Sequence, residues 1–234
     1  KRFIAAIDQG TTSSRAILFS LSGKNIYSSQ KEFKQYFPKD GWVEHNPNEI
    51  WNTTKKVLID VINKSKRLKG KILTIGITNQ RETTILWNKK TGKPVYNAIV
   101  WQDRRTAEFC KKFKTNKKEK FINRRTGLLI DPYFSATKIK WILDNVVIAK
   151  RLLRNNNLLF GTIDTFLLWK LTKGKIHATD ATNASRTMLF NISRNKWDKD
   201  ILKILNIPKN ILPTVKDSSD DFGATDKSIT GTSY

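Results

Sequence analysis

The stretch FIAAIDQGTTSSRAILFS, Phe3 to Ser20, sets two short apolar runs on either side of a turn crowded with hydroxyls. Phe3–Ile7 and Arg15–Phe19 predict strands joined through DQGTTSS, because a small polar cluster between two β-prone runs reads as a hairpin. Ser22-Gly23 marks the next turn, and Asn25–Lys34 supplies a third strand. A chain that opens on such a meander begins its sheet antiparallel, which excludes an all-parallel doubly wound start.

A helix follows. Asn46 is placed as N-cap, Pro47 occupies the first helical position, and Glu49 sits where a reciprocal capping box needs it. Ile50, Val57, Leu58, Val61 and Ile62 then share one helical face, and Lys64, Lys66 and Arg67 collect at the end that favours cations. ILTIGITNQRETTILWN (Ile72–Asn88) reads as a buried strand, a polar break and a second strand. Val95–Trp101 is a further apolar run, and QDRRTAEFCKKF starts a helix near Asp103, which with Arg104 caps and begins it. An amphipathic helix is predicted over Ser135–Val146. Leu158–Thr162 is a strand, with Asp164 as cap before Thr165–Leu171, and Asp198 caps a last helix through Leu205. A meander followed by strand–helix alternation makes this an α/β chain with a mixed sheet flanked by helices. Asp217–Tyr234, rich in Ser, Thr, Asp and Gly, reads as the start of a connection to a further part.

Cys110 is the only cysteine, so an internal disulfide or a thiolate cluster is excluded, and a reducing cytoplasm is the expected location. Two histidines, His45 and His177, are too few for a histidine-based zinc site. No apolar run has the length of a transmembrane span. The 44 Lys and Arg against 20 Asp and Glu give a formal charge of +24. Such a charge suits nucleic acid or an anionic membrane, but lysine is spread through nearly every polar face, and no zinc-finger or RNP pattern accompanies it. No specific nucleic-acid partner is therefore expected.

The hydroxyl turn has a chemical reading of its own. Gly10 lets a ligand approach the backbone, Thr11, Thr12, Ser13 and Ser14 offer hydroxyls, and Arg15 offers a charge-assisted donor. That inventory suits polyphosphate oxygens. Asp8 would repel a phosphate directly but suits Mg²⁺ between carboxylate and phosphates. Neither GxxxxGK[ST] nor GxGxxG occurs, and a plain hairpin with solvated hydroxyls is the competing reading.

Arg81 and Glu82 place a donor fork beside an acceptor, able to take the hydroxyls of a small polyol. In a regular strand neighbours face opposite ways, so both serve one ligand only if the backbone turns there. A surface ion pair is the alternative. Trp101 offers an apolar wall, although a large aromatic is more often core than site, and Tyr133 offers a phenolic hydroxyl, although a core tyrosine with a satisfied hydroxyl is almost as good a reading.

The full string DQGTTSSR resembles the phosphate-1 loop of the FGGY carbohydrate kinases, within the actin/Hsp70/hexokinase superfold, whose domains are ribonuclease H-like. GWVEHNPNEIW, GITNQRETTILW, NAIVWQDRRT, TGLLIDPYFSATKIKWILDN, LLFGTIDTFLLWKLT and DATNASRTMLFNI are similar to segments of the members that phosphorylate glycerol, in the same order. YFSATKIKWILDN also resembles the first FGGY signature. The resemblance implies transfer of the γ-phosphoryl group of MgATP to a primary hydroxyl of glycerol. It implies that Thr11, Thr12, Ser13 and Arg15 hold ATP or ADP phosphates, that Asp8 serves Mg²⁺, and that Arg81, Glu82, Trp101 and Tyr133 bind glycerol. Residues 1–234 then correspond to the N-terminal domain, which holds the acceptor and the phosphate loop. The general base is expected to be the aspartate of a Gly-Asp-Gln motif beyond the tail, and no such motif occurs here. The resemblance further implies that this half folds alone without turning over and docks against a C-terminal domain; an oligomer is expected. Asp103 and Arg104 receive no site role, His45 is expected to be a structural contact, and Asp180, Asn183, Ser185 and Arg186 are expected behind the ligand-contacting residues at most. Two alternatives remain at this stage: a family member acting on another sugar or polyol, and a basic nucleic-acid binder on the same fold.

Overall fold

The computed structural model describes residues 1–234. Strands β1 (Arg2–Gln9), β2 (Ser13–Ser20) and β3 (Asn25–Glu32) form the antiparallel meander that the opening residues predict. Phe3, Ala5, Ile7 and Gln9 of β1 and Ser14, Ala16 and Leu18 of β2 are buried on one face, as the period of two requires. Two brief strands, β4 (Gln35–Tyr36) and β5 (Glu44–His45), lead to helix α1 (Pro47–Arg67), which lays its apolar stripe over that face. Asn46 caps α1 by accepting from the Asn48 N–H at 2.9 Å. Glu49 does not close the expected box; it takes the Tyr36 hydroxyl at 2.6 Å and the Lys34 N–H at 3.2 Å instead.

Strand β6 (Lys71–Asn79) pairs parallel to β1, giving the mixed order β3-β2-β1-β6. The sequence predicts a buried strand here, but β6 lies at the sheet edge. Ile72 is buried, whereas Leu73 is 44% exposed.

Beyond β6 the chain builds a second layer. Strand β7 (Ile85–Asn88) is followed by β8 (Ala98–Ile99), α2 (Ala107–Phe113), α3 (Asn116–Thr126), α4 (Ser135–Asn145) and α5 (Val147–Arg154). Then come β9 (Leu158–Gly161), α6 (Ile163–Leu171), β10 (Ala178–Asp180), α7 (Ala181–Ser185), β11 (Phe190–Asn191), β12 (Lys196–Trp197), α8 (Lys199–Leu205), β13 (Thr214–Lys216) and α9 (Lys227–Thr230). Asp198 caps α8 as predicted, accepting the Asp200 and Ile201 N–H groups at 3.1 Å each.

Two expected caps are otherwise engaged. Helix α2 starts only at Ala107, because Asp103 is spent on the Val43 N–H at 2.6 Å and on the Arg105 side chain. Thr162 is the N-cap of α6; Asp164 lies inside the first turn, half-buried, accepting the hydroxyls of Thr162 (2.5 Å) and Thr179 (2.6 Å). Burial pushes the Asp164 carboxyl up, and those two hydroxyls oppose the shift.

Antiparallel β7 and β9 divide two cores. Ile85, Trp87 and Leu159 face the core formed with the main sheet, α1 and α6, while Leu86, Leu158 and Phe160 face the one formed by α2–α5 and α8. Residues 80–84 therefore enter where both cores meet, anchored on either side before any ligand arrives.

Candidate active site

The β1–β2 turn is short, closed by Gly10 N–H donating to the Ser13 carbonyl at 2.9 Å. A Cβ on Gly10 would meet nothing nearer than that same oxygen, at 3.4 Å. The protein's own packing thus does not demand glycine here, and the room above it is left to a ligand. Thr11 is half-buried and Thr12 exposed, while the Ser13 hydroxyl accepts from the Gln30 amide at 2.9 Å. Ser14 does not join them. Its side chain is buried against α1, within 2.9 Å of the Thr53 hydroxyl and 3.1 Å of the Thr54 hydroxyl, so its expected place among the phosphate donors is corrected. Strand alternation is the cause: Ser13 and Arg15 share the open face and Ser14 the other. Arg15 lies across the ladder from Asp8 and pairs with its Oδ2 at 2.5 Å, both side chains partly exposed.

The condition posed for Arg81 and Glu82 is met. Thr83 N–H donates to the Arg81 carbonyl at 2.7 Å, a three-residue turn, and Glu82 at its centre has φ 63°. A non-glycine residue held there stores about 1–3 kcal/mol and persists only when its surroundings over-determine it. They do so here. Ser135 donates its hydroxyl to the Glu82 carbonyl at 2.9 Å, Thr84 donates to the same oxygen at 3.1 Å, and Glu82 Oε1 accepts from Arg186 Nε at 2.7 Å. Glu82 is buried and Arg81 exposed, so the pair spans the boundary between protein and solvent.

Trp101 joins this turn to the hairpin. Its N–H donates to Thr11 Oγ1 at 3.1 Å, and its backbone N–H reaches Thr83 Oγ1 at 3.3 Å. The Tyr133 ring stands edge-on to the Trp101 ring with centroids 5.6 Å apart. Arg186, while bonded to Glu82, places its guanidinium 5.7 Å from the Tyr133 centroid and 5.1 Å from that of Phe134. Thr11, Trp101, Tyr133 and Glu82 are therefore linked in space. The Arg81 side chain is near them by sequence without being fixed by any of them.

Beneath the two turns lies His45. The Gln80 amide nitrogen sits within 3.2 Å of Gln9 Oε1, the Gly10 carbonyl and His45 Nδ1, and His45 Nε2 faces Gln35 Oε1 at 2.5 Å. Those partners select the neutral tautomer that carries its proton on Nε2. Burial pushes the His45 imidazole down to about 4, against the pull of Glu49. Sequence reasoning treated His45 as structural, and its position as a brace agrees. Arg186 stands behind Glu82, the kind of place expected of it, although the sequence does not name Glu82, distant in the chain, as its partner.

Arg105 is set into a separate, filled cage. Its guanidinium is buried, bonded to Glu44 at 2.7 Å and Asp103 at 2.9 Å, and lies 3.7 Å from the Trp42 ring centroid and 4.6 Å from that of Trp141. This explains Asp103 without a catalytic role. Cavities of about 540 Å³ beside Trp197 and about 420 Å³ beneath the β6 edge contain none of the residues proposed to contact a ligand, although Asp180 and Asn183 line the second. The candidate site reaches the surface: Thr12 and Arg81 are exposed and Thr11, Trp101 and Tyr133 half-buried.

The profile of the FGGY family of carbohydrate kinases, N-terminal domain, matches residues 3–233. The chain belongs to that family. It is 56% identical over 231 residues to a glycerol kinase of Borrelia duttonii, covering 99% of this chain and 47% of that one. A glycerol kinase of Thermoanaerobacter sp. strain X514 is 59% identical over 230 residues, covering 98% of this chain and 46% of that one. The crystal structure of Plasmodium falciparum glycerol kinase with ADP superposes with a TM-score of 0.92 at 35% identity, over 99% of this chain and 47% of that one. The chain thus spans about half the length of the curated relatives it matches. A gluconate kinase from Lactobacillus acidophilus, 24% identical with a TM-score of 0.86 over 99% of this chain and 46% of that one, shares the fold.

Proposed function

We propose that the complete protein transfers the γ-phosphoryl group of ATP to a primary hydroxyl of glycerol, yielding sn-glycerol 3-phosphate, and that this chain is its N-terminal domain. The contact that supports the reading is the Trp101 N–H on the Thr11 hydroxyl, between the β1–β2 turn and the residues around Glu82. Phosphoryl transfer depends on in-line positioning and charge neutralisation, so donor and acceptor sites must abut. Thr11, Thr12, Ser13 and Arg15 hold nucleotide phosphates. Arg81 donates to one acceptor hydroxyl, Glu82 accepts from another through the oxygen that Arg186 leaves free, Trp101 walls the carbon chain and Tyr133 donates its phenol. The identity of the curated glycerol kinases over nearly the whole chain supports glycerol over another polyol.

Asp8 fits Mg²⁺ on its chemistry. No three His, Cys, Asp or Glu side chains gather here to form a protein cage, and Mg²⁺ takes one or two carboxylates together with phosphate oxygens and waters. Asp8 Oδ1 remains open while Oδ2 pairs with Arg15, so a nucleotide drawing Arg15 towards its phosphates would free the carboxylate for the ion. When bound, the ion neutralises phosphate charge. The base that takes the acceptor proton belongs to the part outside this chain, as do contacts to the adenosine. No helix is long and apolar enough to cross a membrane.

The test is ADP release by the complete protein with a panel of glycerol, xylulose, gluconate and ribitol. Turnover with glycerol at a kcat/KM about 100-fold or more above the others supports the reading, as expected for a site that leaves buried polar groups unpaired with a wrong substrate. Preference for another member of the panel would overturn the acceptor while leaving the phosphate turn untouched.

A further inference from the structure

Directly behind Tyr133 lies a fully buried lysine that the proposed chemistry does not use. Lys138, one turn into α4, is 0% exposed and has no carboxylate within ion-pairing distance. Its ammonium instead donates to three consecutive carbonyls, those of Pro132, Tyr133 (2.8 Å) and Phe134 (3.4 Å). A buried cation is costly, and an aliphatic side chain of the same length would fill this space without that penalty.

What the cation does locally is clear from how the chain enters α4. Phe134 is the N-cap, with extended backbone and no capping side chain. The carbonyls of Pro132 and Tyr133 precede the helix and would otherwise be buried without a partner. Lys138 satisfies them from inside the helix and ties the approach segment to its first turn. Two acceptor contacts hang on that segment: the Tyr133 ring against Trp101, and the Ser135 hydroxyl on the Glu82 carbonyl. At its other end Asp131 accepts the Tyr133 N–H at 2.8 Å and pairs with exposed Arg104, a weaker anchor.

We propose that Lys138 is a positioning residue for the acceptor site, its ammonium holding residues 132–134 so that Tyr133 and the Glu82 turn keep a common geometry. This rests on the acceptor assignment made above. Displacing a substrate-contacting group by about 1 Å can cost on the order of 100-fold, although the residue responsible never touches substrate. The effect is confined to one substrate, because Lys138 touches nothing in the β1–β2 turn. Burial pushes the ammonium down to about 7, opposed by the charges of Asp103, Glu82 and Asp131.

The experiment is steady-state kinetics on the complete protein carrying Lys138→Met, which keeps length and removes the donors. The glycerol KM is expected to rise about 10- to 100-fold while the ATP KM stays within about twofold. An unchanged glycerol KM, or an equal rise in both constants, would overturn the proposal. If Lys138→Met does not fold, Lys138→Gln, which is shorter and keeps only a neutral amide donor, supplies the reading. Its glycerol KM should rise severalfold while the ATP KM stays level; a level glycerol KM overturns the proposal. Failure of the unsubstituted protein to phosphorylate glycerol at any pH would instead overturn the acceptor assignment, and the two failures are read from different samples.

Discussion

The β1–β2 turn and the Glu82 turn lie side by side and are built on opposite principles. The first is closed by the Gly10–Ser13 backbone hydrogen bond, is met by the Phe33 N–H and the Gln80 amide, and presents exposed Thr12 and a partly exposed Asp8–Arg15 pair. The second is buried, conformationally strained at Glu82, and braced by Ser135, Thr84 and Arg186. Polyphosphate is highly charged and flexible, and a turn offering backbone N–H groups with mobile cations can meet it from one side. A small neutral polyol has only its hydroxyl pattern to be recognised by, so the groups that read it must be fixed beforehand. On the proposed reading, the acceptor residues are accordingly preorganised, while the phosphate turn is the more open of the two.

That difference can be strained from underneath, where His45 and Gln80 support both turns. The His45 imidazole is held below its ordinary value, so the unfolded chain binds the proton more readily between about pH 4 and 6.5. The stabilisation is present above the upper limit and is lost as pH falls through that window, about 3 kcal/mol in all. Urea unfolding at several pH values should show this slope, and His45→Gln should flatten it. Next in size, Gly10→Ala should cut ADP affinity about tenfold or more while shifting stability by less than about 1 kcal/mol. Calorimetric titration and a thermal melt check both parts; a collapse of the melt would mean that the fold, not the ligand, requires the glycine. Smallest is Ser14→Ala, expected to cost about 1 kcal/mol through its lost hydroxyl contacts with Thr53 and Thr54 and to leave ADP affinity level. A fall in ADP affinity there would return Ser14 to the phosphate donors.

Much of the frame was legible in the residues. The meander follows from alternation in β1 and β2, and α1 and α8 announce themselves through Asn46-Pro47 and Asp198. Helices α3 and α5 were not legible, for physical reasons. Among the residues of α3 only Ile122 and Thr126 are buried, too few to mark a period, and α5 begins one residue after α4 is capped by Val146. The edge position of β6 was hidden because an apolar string does not say how many neighbours a strand has. At the site, the composition of DQGTTSSR pointed to phosphate, and adjacency of Arg81 and Glu82 required a turn that the structure supplies. Lys138 was not legible because its role depends on contacts with three backbone oxygens made only after folding, and Arg186, expected behind the site, finds in Glu82 a partner too far along the chain for the sequence to name. Asp103 and Asp164 misled for a related reason, since an acid near a helix start resembles a cap until its true partners are seen.

The most direct measurement is the response of the complete protein to Glu82→Gln, which keeps the shape of the side chain and removes its charge. The account predicts that kcat/KM for glycerol falls about 10³-fold or more while ADP affinity changes by less than about twofold. Retained glycerol turnover, or an equal loss of ADP affinity, would contradict the claim that the acceptor is read by a preorganised turn separate from the phosphate hairpin.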